Sequence, residues 1–314
     1  MDIKLDNTVW TNISAYVQEN YDSIKAELVL GGETLSLFDS IPVGIEGTIK
    51  VPKLTVDIVS VDNCSSTPTG ATSFLQTSVK VCRKNYLTTL CEDNFRLYFP
   101  VQGMSNTLGQ NIPFEQTIIQ TWEKEIQKEK ERLYWFGTTA GGDCMDGIYY
   151  SISGDSSRNI ASGTTFYPGV TITSSLIDDA VDAVYAALPA NVSMNNSRVV
   201  YMFMSQTLYK WYRQWAIGAY GALQIGNAGQ STEGGPVNIM DYVYDSNVKI
   251  VGVQAFGSSQ AIIAGAVDNF IHINNGTSSN LTTGMAPYDS GLWLKWSYLL
   301  GAKYHWASEL ATSF

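Results

Sequence analysis

The sequence predicts an α+β fold, and three long stretches with different periodicities carry that prediction. Residues 113–136 place apolar side chains at helical spacing. Residues 48–83 contain two segments that alternate β-branched and polar side chains on either side of a polar turn. Residues 292–306 keep a period of two for longer than an ordinary strand does. A chain of 314 residues has room for about two domains around these elements.

The stretch at 113–136 predicts one long helix with an apolar face and a charged remainder. Pro113 stands in the first turn, where its missing N–H has no helical partner, and Gly137 follows the last turn. Opposite charges meet three residues apart, as in Glu129 and Arg132. At 1.5 Å per residue the helix is about 35 Å long, enough to support a whole domain. Its apolar face comprises Phe114, Ile118, Trp122, Ile126, Leu133 and Phe136.

A second amphipathic helix is predicted over residues 7–30, where Gly31 and Gly32 end it. Such a helix near a terminus has two places to pack, its own core or the surface of a neighbouring subunit, and both are open at this point. Its apolar face comprises Trp10, Ile13, Val17, Ile24 and Leu28.

The alternating segments predict a long β-hairpin with a polar tip. Leu54, Val56 and Ile58 lie on one face of its first strand, and residues 74–83 form the second. A two-stranded hairpin is marginally stable alone in water, so it must lean on its own domain or on another subunit. A short helix is predicted at 87–97, between the hairpin and the long helix.

Residues 155–270 predict a separate α/β unit. A helix is expected to end before Pro189, because the residue before a proline avoids helical backbone. The apolar run 199–204 is typical of a buried strand, and Ser205 is placed to cap a following helix at 206–220. Further strands are predicted to begin at Gly147–Tyr149 and to cover 248–253 and 261–266.

Charge and apolar content exclude several classes of function. The net charge of -10 argues against a nucleic-acid-binding surface, which needs clustered Lys and Arg. No stretch approaches the ~20 apolar residues of a membrane span. The first residues, MDIKLDNTVW, lack the basic start and apolar core of a signal peptide, so nothing directs the chain to secretion.

The four cysteines, Cys64, Cys82, Cys91 and Cys144, form no CxxC pair and lie far in sequence from both histidines. A zinc site is therefore poorly supported. Cys64 and Cys82 could meet across the hairpin, but synthesis in the cytoplasm favours reduced thiols.

No catalytic residue, cofactor or metal is predicted. A catalytic triad would have to use His272 or His305, and no GxSxG elbow accompanies them. The carboxylates Asp178 and Asp179 fall on a charged helix face, where solvation is their ordinary role.

The order of these elements resembles that of the major capsid proteins of tailed bacteriophages, which have the Hong Kong 97-type fold. Local sequence carries the resemblance in GIEGTIKVPKLTVDIVSV, KEKERLYWFGTTAGGDCMDGIYY and LWLKWSYLLGAKYHWASEL. The resemblance covers nearly the whole chain and is one of architecture and residue character, because the family has no invariant catalytic motif. It implies an α+β capsid fold with an N-terminal arm, an extended β-hairpin loop, a peripheral domain with a long spine helix, and an axial α/β domain.

This resemblance also implies a division of the chain. The arm is expected at 1–45, the extended loop at 46–84, the peripheral domain at 85–149 and 271–314 with its spine helix at 113–136, and the axial domain at 150–270.

The implied function is self-assembly into the pentamers and hexamers of an icosahedral head that encloses double-stranded DNA without sequence-specific binding. The implied partners are other copies of the chain, a portal, and scaffolding or decoration proteins, with no membrane. The implied location is the virion, assembled in the cytoplasm of a host bacterium. The candidate assembly contacts are Trp10, Ile13, Val17, Leu54, Val56, Ile58, Trp122 and Ile126.

The chain departs from some relatives in two respects. Those relatives carry an N-terminal scaffolding segment that is removed, whereas here the arm-like helix begins by residue 7. Scaffolding is therefore expected from another protein, or it is dispensable. Some relatives also cross-link covalently through a lysine near the hairpin tip, and residues 61–79 contain no lysine, so no such bond is expected.

Two alternatives remain at this point. One is an encapsulin-like nanocompartment shell, which resembles the same fold and packages a cargo enzyme. The other is a carbohydrate-binding surface protein that would stack a glycan on Trp211 and Trp215, although that spacing more often indicates packing within a helix bundle or core.

Overall fold

The fold was examined in a computed structural model. It describes residues 15–30, 32–56, 72–91, 114–194, 198–220, 238–275, 280–285 and 291–314. Helices α1 to α6 span, in order, Tyr21–Leu30, Phe114–Phe136, Ile148–Ser153, Ile177–Ala187, Ala190–Ser193 and Gln206–Tyr220. Strands β1 to β12 span, in order, Ser40–Pro42, Gly47–Val56, Thr72–Cys91, Asn159–Ile160, Val200–Ser205, Asn238–Tyr242, Asp245–Val253, Ile263–Ala266, Phe270–Asn274, Asn280–Met285, Gly291–Tyr304 and Ala311–Thr312.

The first of two six-stranded sheets has the order β1-β9-β11-β3-β2, with β10 also paired to β11. Strand β3 is 20 residues long and pairs with two partners in succession. Its first half pairs with β2, and its second half pairs antiparallel with β11, from Val81 opposite Gly301 to Cys91 opposite Gly291. The predicted hairpin and the predicted C-terminal strand are thus confirmed and joined in one sheet.

The helix predicted at 87–97 is wrong over 87–91, which continue β3. Local sequence there is compatible with either state, and the long edge of β11 supplies ladder hydrogen bonds that a helix would forgo. Residues 92–97 lie outside the described part of the chain.

The base of the hairpin packs against β9 of its own sheet, near the point where β3 leaves β11. Its inner face buries Val51, Val79 and Val81 against Ile271 and Ile273 of β9. Gly301 allows this close approach, since a Cβ there would lie 3.1 Å from the Cβ of Ile273 and 3.3 Å from the Cγ1 of Val79. The base of the hairpin therefore leans on its own domain.

The second sheet has the order β4-β12-β8-β5-β7-β6 and forms the core of the predicted α/β unit. Strand β5 is the predicted buried run, and Ser205 Oγ accepts a hydrogen bond from the N–H of Leu208, 3.3 Å away, at the start of α6. Helix α4 ends at Ala187, and Leu188 follows it with extended backbone before Pro189, as predicted. Strand β12 pairs with β8 and β4, so the chain crosses to this sheet after β11.

The strand predicted to begin at Gly147–Tyr149 is wrong, because residues 148–153 form helix α3. Ile148 and Ile152 are four residues apart and both fully buried, which is helical spacing. Gly147 lies directly against the end of α2, where a Cβ would come within 2.7 Å of the Trp135 carbonyl carbon.

The N-terminal helix packs on the subunit's own core over the residues described. Helical residues 15–19 precede α1, and Val17, Ile24 and Leu28 are buried in the same apolar cluster as Trp135 of α2. Of the two placements left open by the sequence, the structure shows the first for residues 15–30.

Candidate assembly surface

The outer face of the hairpin is a continuous exposed surface. The register pairs Thr48 with Lys80, Lys50 with Ser78 and Pro52 with Gln76, so these six side chains project to one side. All six are exposed, whereas the intervening inner-face residues are buried or half-buried. We call these six residues the outer hairpin face.

This surface is basic in an acidic protein. Strands β2 and β3 contain no Asp or Glu, although the whole chain carries a net charge of -10. An exposed basic strip of this kind attracts acidic surfaces, and it does so less strongly as salt rises. The basic residues of the two strands are Lys50, Lys53, Lys80, Arg83 and Lys84.

One lysine of the hairpin is directed inward and ties the ribbon to the body of the subunit. Lys53 Nζ lies 3.2 Å from Asp268 Oδ2 and 4.1 Å from the centroid of the Trp306 ring. Arg198 Nη2 reaches the same carboxylate at 2.8 Å. Burial of Asp268 raises its pKa, but the two cations outweigh burial and hold the pKa below its usual value.

The segment after α1 is held by a buried carboxylate of the spine helix α2. Glu131 accepts hydrogen bonds from the Thr34 N–H at 2.5 Å, the Thr34 hydroxyl at 2.6 Å and the Leu35 N–H at 3.0 Å. The neighbouring Lys130 donates to the Leu28 carbonyl at 2.7 Å. Burial lowers the pKa of Lys130 to about 8, an effect that the charge of Glu131 partly offsets.

A second carboxylate joins the same segment to the second sheet. Glu33 accepts hydrogen bonds from the Gln254 N–H at 2.5 Å and from Gln206 Nε2 at 3.1 Å. Burial, with a smaller contribution from the charge of Glu131, raises the pKa of Glu33 to about 7. Together Glu33 and Glu131 border a cavity of about 300 Å³ between α2 and residues 254–255.

We predict that the contribution of Glu33 to the free energy of unfolding increases on acidification from pH 7.5 to pH 5, whereas the lowered pKa values of His272 and His305 act in the opposite direction over the same range. The folded-state pKa of Glu33 lies above its unfolded value of 4.5, so between about 4.5 and about 7 the folded protein binds the extra proton. The contribution of Glu33 to stability therefore falls as pH rises through that window, and the difference in stability between the parent and Glu33→Gln isolates it. Denaturant titrations across this range check the prediction.

On acidification Glu33→Gln should therefore lose stability relative to the parent, and Glu19→Gln, at an exposed position, should follow the parent. Some slope should persist in Glu33→Gln, because burial also raises the pKa of Glu131. An unchanged pH profile in Glu33→Gln would contradict the assignment.

The eight predicted contacts fall into three groups. Val17, Trp122 and Ile126 lie in the subunit's own core, and Trp122 Nε1 also donates to Thr88 Oγ1 at 3.0 Å. Leu54 and Val56 are in β2, where the structure describes their strand pairing. Trp10, Ile13 and Ile58 lie outside the described residues. A role for these residues between subunits stays a prediction.

Lys50 and Lys80 of the outer hairpin face were not among the predicted contacts. The signal that could have found them was available, because both strands lack acidic residues in a chain of net charge -10. Only the register shows that the two lysines share a face.

His272 of β9 lies in the subunit's core. His272 is 2% exposed, packs edge-on against Tyr134 and has no hydrogen-bond partner for its ring nitrogens there. Burial lowers its pKa to about 3, so it is neutral. No group of three metal-ligating side chains occurs among the residues described.

The tryptophans of the carbohydrate alternative serve packing. Trp211 and Trp215 are half-buried against the core of the second sheet, and the Trp215 ring lies 5.3 Å from that of Tyr212.

The described helices include none long and apolar enough to cross a membrane.

Comparison with solved structures identifies the architecture. A chain of the satellite phage P4 procapsid aligns with a TM-score of 0.56 and 10% identity, covering 93% of this chain and 96% of that one. A chain of the capsid of a native GTA particle aligns at 0.53 and 9%, covering 89% and 88%. A chain of a virus-like particle from Pyrococcus furiosus aligns at 0.50 and 9%, covering 95% and 98%.

No known protein-family profile matches the sequence, and no curated protein matches it. At 9–10% identity the structural likeness is one of fold. It covers 89–95% of this chain. The chain has the Hong Kong 97-type capsid fold.

Proposed function

We propose that the chain is the major capsid subunit of a bacteriophage, assembling into the pentamers and hexamers of an icosahedral head around double-stranded DNA. The observation that carries the proposal is a capsid fold that aligns over 93% of the chain. The activity is geometric, since the same surfaces contact one another in heterologous fashion and close into rings. Portal, scaffolding and decoration proteins are the further partners of such a shell, which would be assembled in the host cytoplasm.

The outer hairpin face is the surface that we assign to contact with a neighbouring copy. It is basic and exposed, and the rest of the chain carries the acidic excess. Complementary charge steers two copies together and fixes their register more than it adds affinity. Trp10, Ile13, Leu54, Val56 and Ile58 remain proposed apolar contacts, whereas Val17, Trp122 and Ile126 would support assembly through the subunit's core.

The acidic character of the chain also fits the proposed contents of the shell. A net charge of -10 per subunit repels a polyanion, so DNA would be enclosed without condensing on the wall. The burial expected for an obligate shell contact is on the order of 2,000 Å² or more.

The first experiment is to produce the chain alone and examine it by size-exclusion chromatography with light scattering and by negative-stain microscopy. Hollow shells, or rings of five or six subunits, are expected. A monomer that persists at high concentration, and also after addition of candidate scaffolding protein, would contradict the proposal.

Reversing the charge of the outer hairpin face should separate assembly from folding. The double variant Lys50→Glu/Lys80→Glu is expected to keep the circular dichroism of the parent, because both side chains are exposed. Its yield of rings or shells should fall by about tenfold or more, since like charges across a contact cost several kcal/mol. Rising salt should narrow the difference in yield between the double variant and the parent, because salt screens these charges.

Lys210→Glu/Arg213→Glu on the exposed side of α6 is the matched control, with the same change in net charge. Equal loss of assembly in the two double variants would show that net charge, and not the hairpin, is responsible.

A nanocompartment shell is a second candidate, favoured by the alignment with the virus-like particle from Pyrococcus furiosus. The contents of purified particles distinguish the two. Nuclease-protected DNA supports a phage head, and a stoichiometric protein cargo supports a compartment.

A further inference from the structure

Two cysteines that are distant in the sequence meet at the base of the hairpin. Cys82 lies in β3 opposite Leu300 of β11 and is 3% exposed. Cys144 lies in the loop that follows α2. It is half-buried and packs against the apolar cluster to which Cys82 belongs. The ion pair between Asp143 and Lys84, 3.5 Å apart, brings the two cysteine-bearing segments together, and both cysteines are free thiols in the structure.

An ion cluster beside the cysteines holds their two segments together. Asp143, the residue before Cys144, lies 3.5 Å from Lys84 Nζ in β3 and 3.1 Å from Arg132 Nη2 in α2. Its carboxylate also accepts the Thr138 N–H at 3.1 Å. Because the ion pair already joins the two segments one residue before Cys144 and two residues after Cys82, we expect that a covalent bond between the thiols needs little backbone movement.

We propose that Cys82 and Cys144 are a disulfide site, which closes when the protein passes from a reducing to an oxidising environment. The oxidant is a small disulfide such as oxidised glutathione. The Cys144 thiolate attacks one of its sulfurs, forms a mixed disulfide and releases one glutathione thiol. Cys82 then gives up its proton to solvent, and its sulfur attacks the Cys144 sulfur and releases the second glutathione. The protein loses two electrons and two protons, and the oxidant becomes two thiols.

Exposure sets the order of these two steps. Cys144 is the thiol that an oxidant in solution reaches, whereas Cys82 is covered. Burial and, to a smaller degree, the neighbouring Cys144 raise the pKa of Cys82 to about 12, so little of it is the reactive thiolate at neutral pH. The second step should therefore be slow, and a reducing cytoplasm would keep the pair open.

The bond would join β3 at the base of the hairpin to the loop after the spine helix. It closes a long loop of chain, so it should stabilise the folded state chiefly by restricting the unfolded chain. If the protein is the capsid subunit proposed above, the bond fixes the hairpin after the particle leaves the cell. This timing rests on the proposed function, whereas the bond itself does not.

The test treats the purified full-length chain with oxidised glutathione or with dithiothreitol and then maps its peptides under non-reducing conditions. A peptide pair joined through Cys82 and Cys144 is expected only after oxidation. The Tm of the oxidised protein should rise by roughly 5–10 °C, from the usual effect of a disulfide in a chain of this size.

Cys144→Ser should abolish both the linked peptides and the rise in Tm, and it should still fold, because the side chain is half-exposed in a loop. Cys64→Ser is the control and should retain both. A stable glutathione adduct at Cys144 without the link, or a bond between other cysteines, would overturn the proposal. The peptide map and the Tm are both measured on the unassembled chain, so they test the disulfide whether or not shells form.

Discussion

Replacing Glu131 with alanine is expected to lower the free energy of unfolding by about 3–5 kcal/mol. The substitution removes the acceptor of three short hydrogen bonds from Thr34 and Leu35, and all three donors are buried. Lys130 would also lose the closest opposite charge that supports it in the core. Denaturant unfolding followed by circular dichroism measures the change.

Two further variants show whether the carboxylate is responsible. Glu131→Gln keeps one acceptor oxygen and should cost less than alanine does. Glu125→Ala lies on the same helix with its side chain 70% exposed and should change stability by no more than about 0.5 kcal/mol. Equal stability of Glu131→Ala and Glu125→Ala would refute the role assigned to Glu131.

Truncating Trp135 to alanine should have an effect of similar size, about 3–5 kcal/mol for a buried aromatic residue. Its ring is fully buried and lies 4.7 Å from Phe203 of β5 and 6.1 Å from Phe270 of β9, so it contacts both sheets. Its Nε1 also donates to the Thr34 hydroxyl at 2.8 Å. The variant therefore loses packing between the sheets and a hydrogen bond to the segment after α1.

Trp135→Phe should recover much of the loss, because it keeps an aromatic ring and sacrifices only the N–H donor and part of the volume. Leu87→Ala, 66% exposed on β3, is the control and should be nearly neutral. If Trp135→Ala proved as mild as Leu87→Ala, the tryptophan would not be the residue that couples the sheets. A free energy of unfolding that depends less steeply on denaturant concentration in Trp135→Ala than in the other variants would show that the two sheets unfold separately in Trp135→Ala.

Glu131 and Trp135 both lie near the end of the spine helix α2, where the segment after α1 meets the first sheet and the second sheet. Assembly variants should therefore be chosen away from it, so that loss of shells is not confused with loss of the subunit. The outer hairpin face satisfies this condition, because its side chains are exposed and its inner face alone contributes to the core.

The sequence was most informative where periodicity is long. The stripe of α2 and the parity of β11 each repeat over many residues, so single exceptions such as Trp293 do not change the pattern. Helix boundaries that depend on the chemistry of one residue were also predicted correctly, as with Pro189 after α4 and Ser205 before α6. These features depend on local backbone chemistry, which a single sequence contains.

Short segments were predicted less well. Residues 87–91 became strand because β11 offered a partner, and residues 148–153 became helix because Ile148 and Ile152 share a buried face under α2. In both places local preference is weak and a partner distant in the chain decides the state. Val17, Trp122 and Ile126 lie in the subunit's core, and their role in assembly stays a prediction, since an apolar stripe does not say which surface covers it.

The sequence by itself determined the α+β class, the long helix, the hairpin, the long final strand and the acidic charge, because periodicity and composition are local quantities. Only the tertiary structure decided that Glu131 binds the segment after α1, that Lys50 and Lys80 share one exposed face, and that Cys82 lies near Cys144. Each of these depends on strand register or on contact between residues far apart in the chain, and the free energy of such contacts appears only when the core has formed.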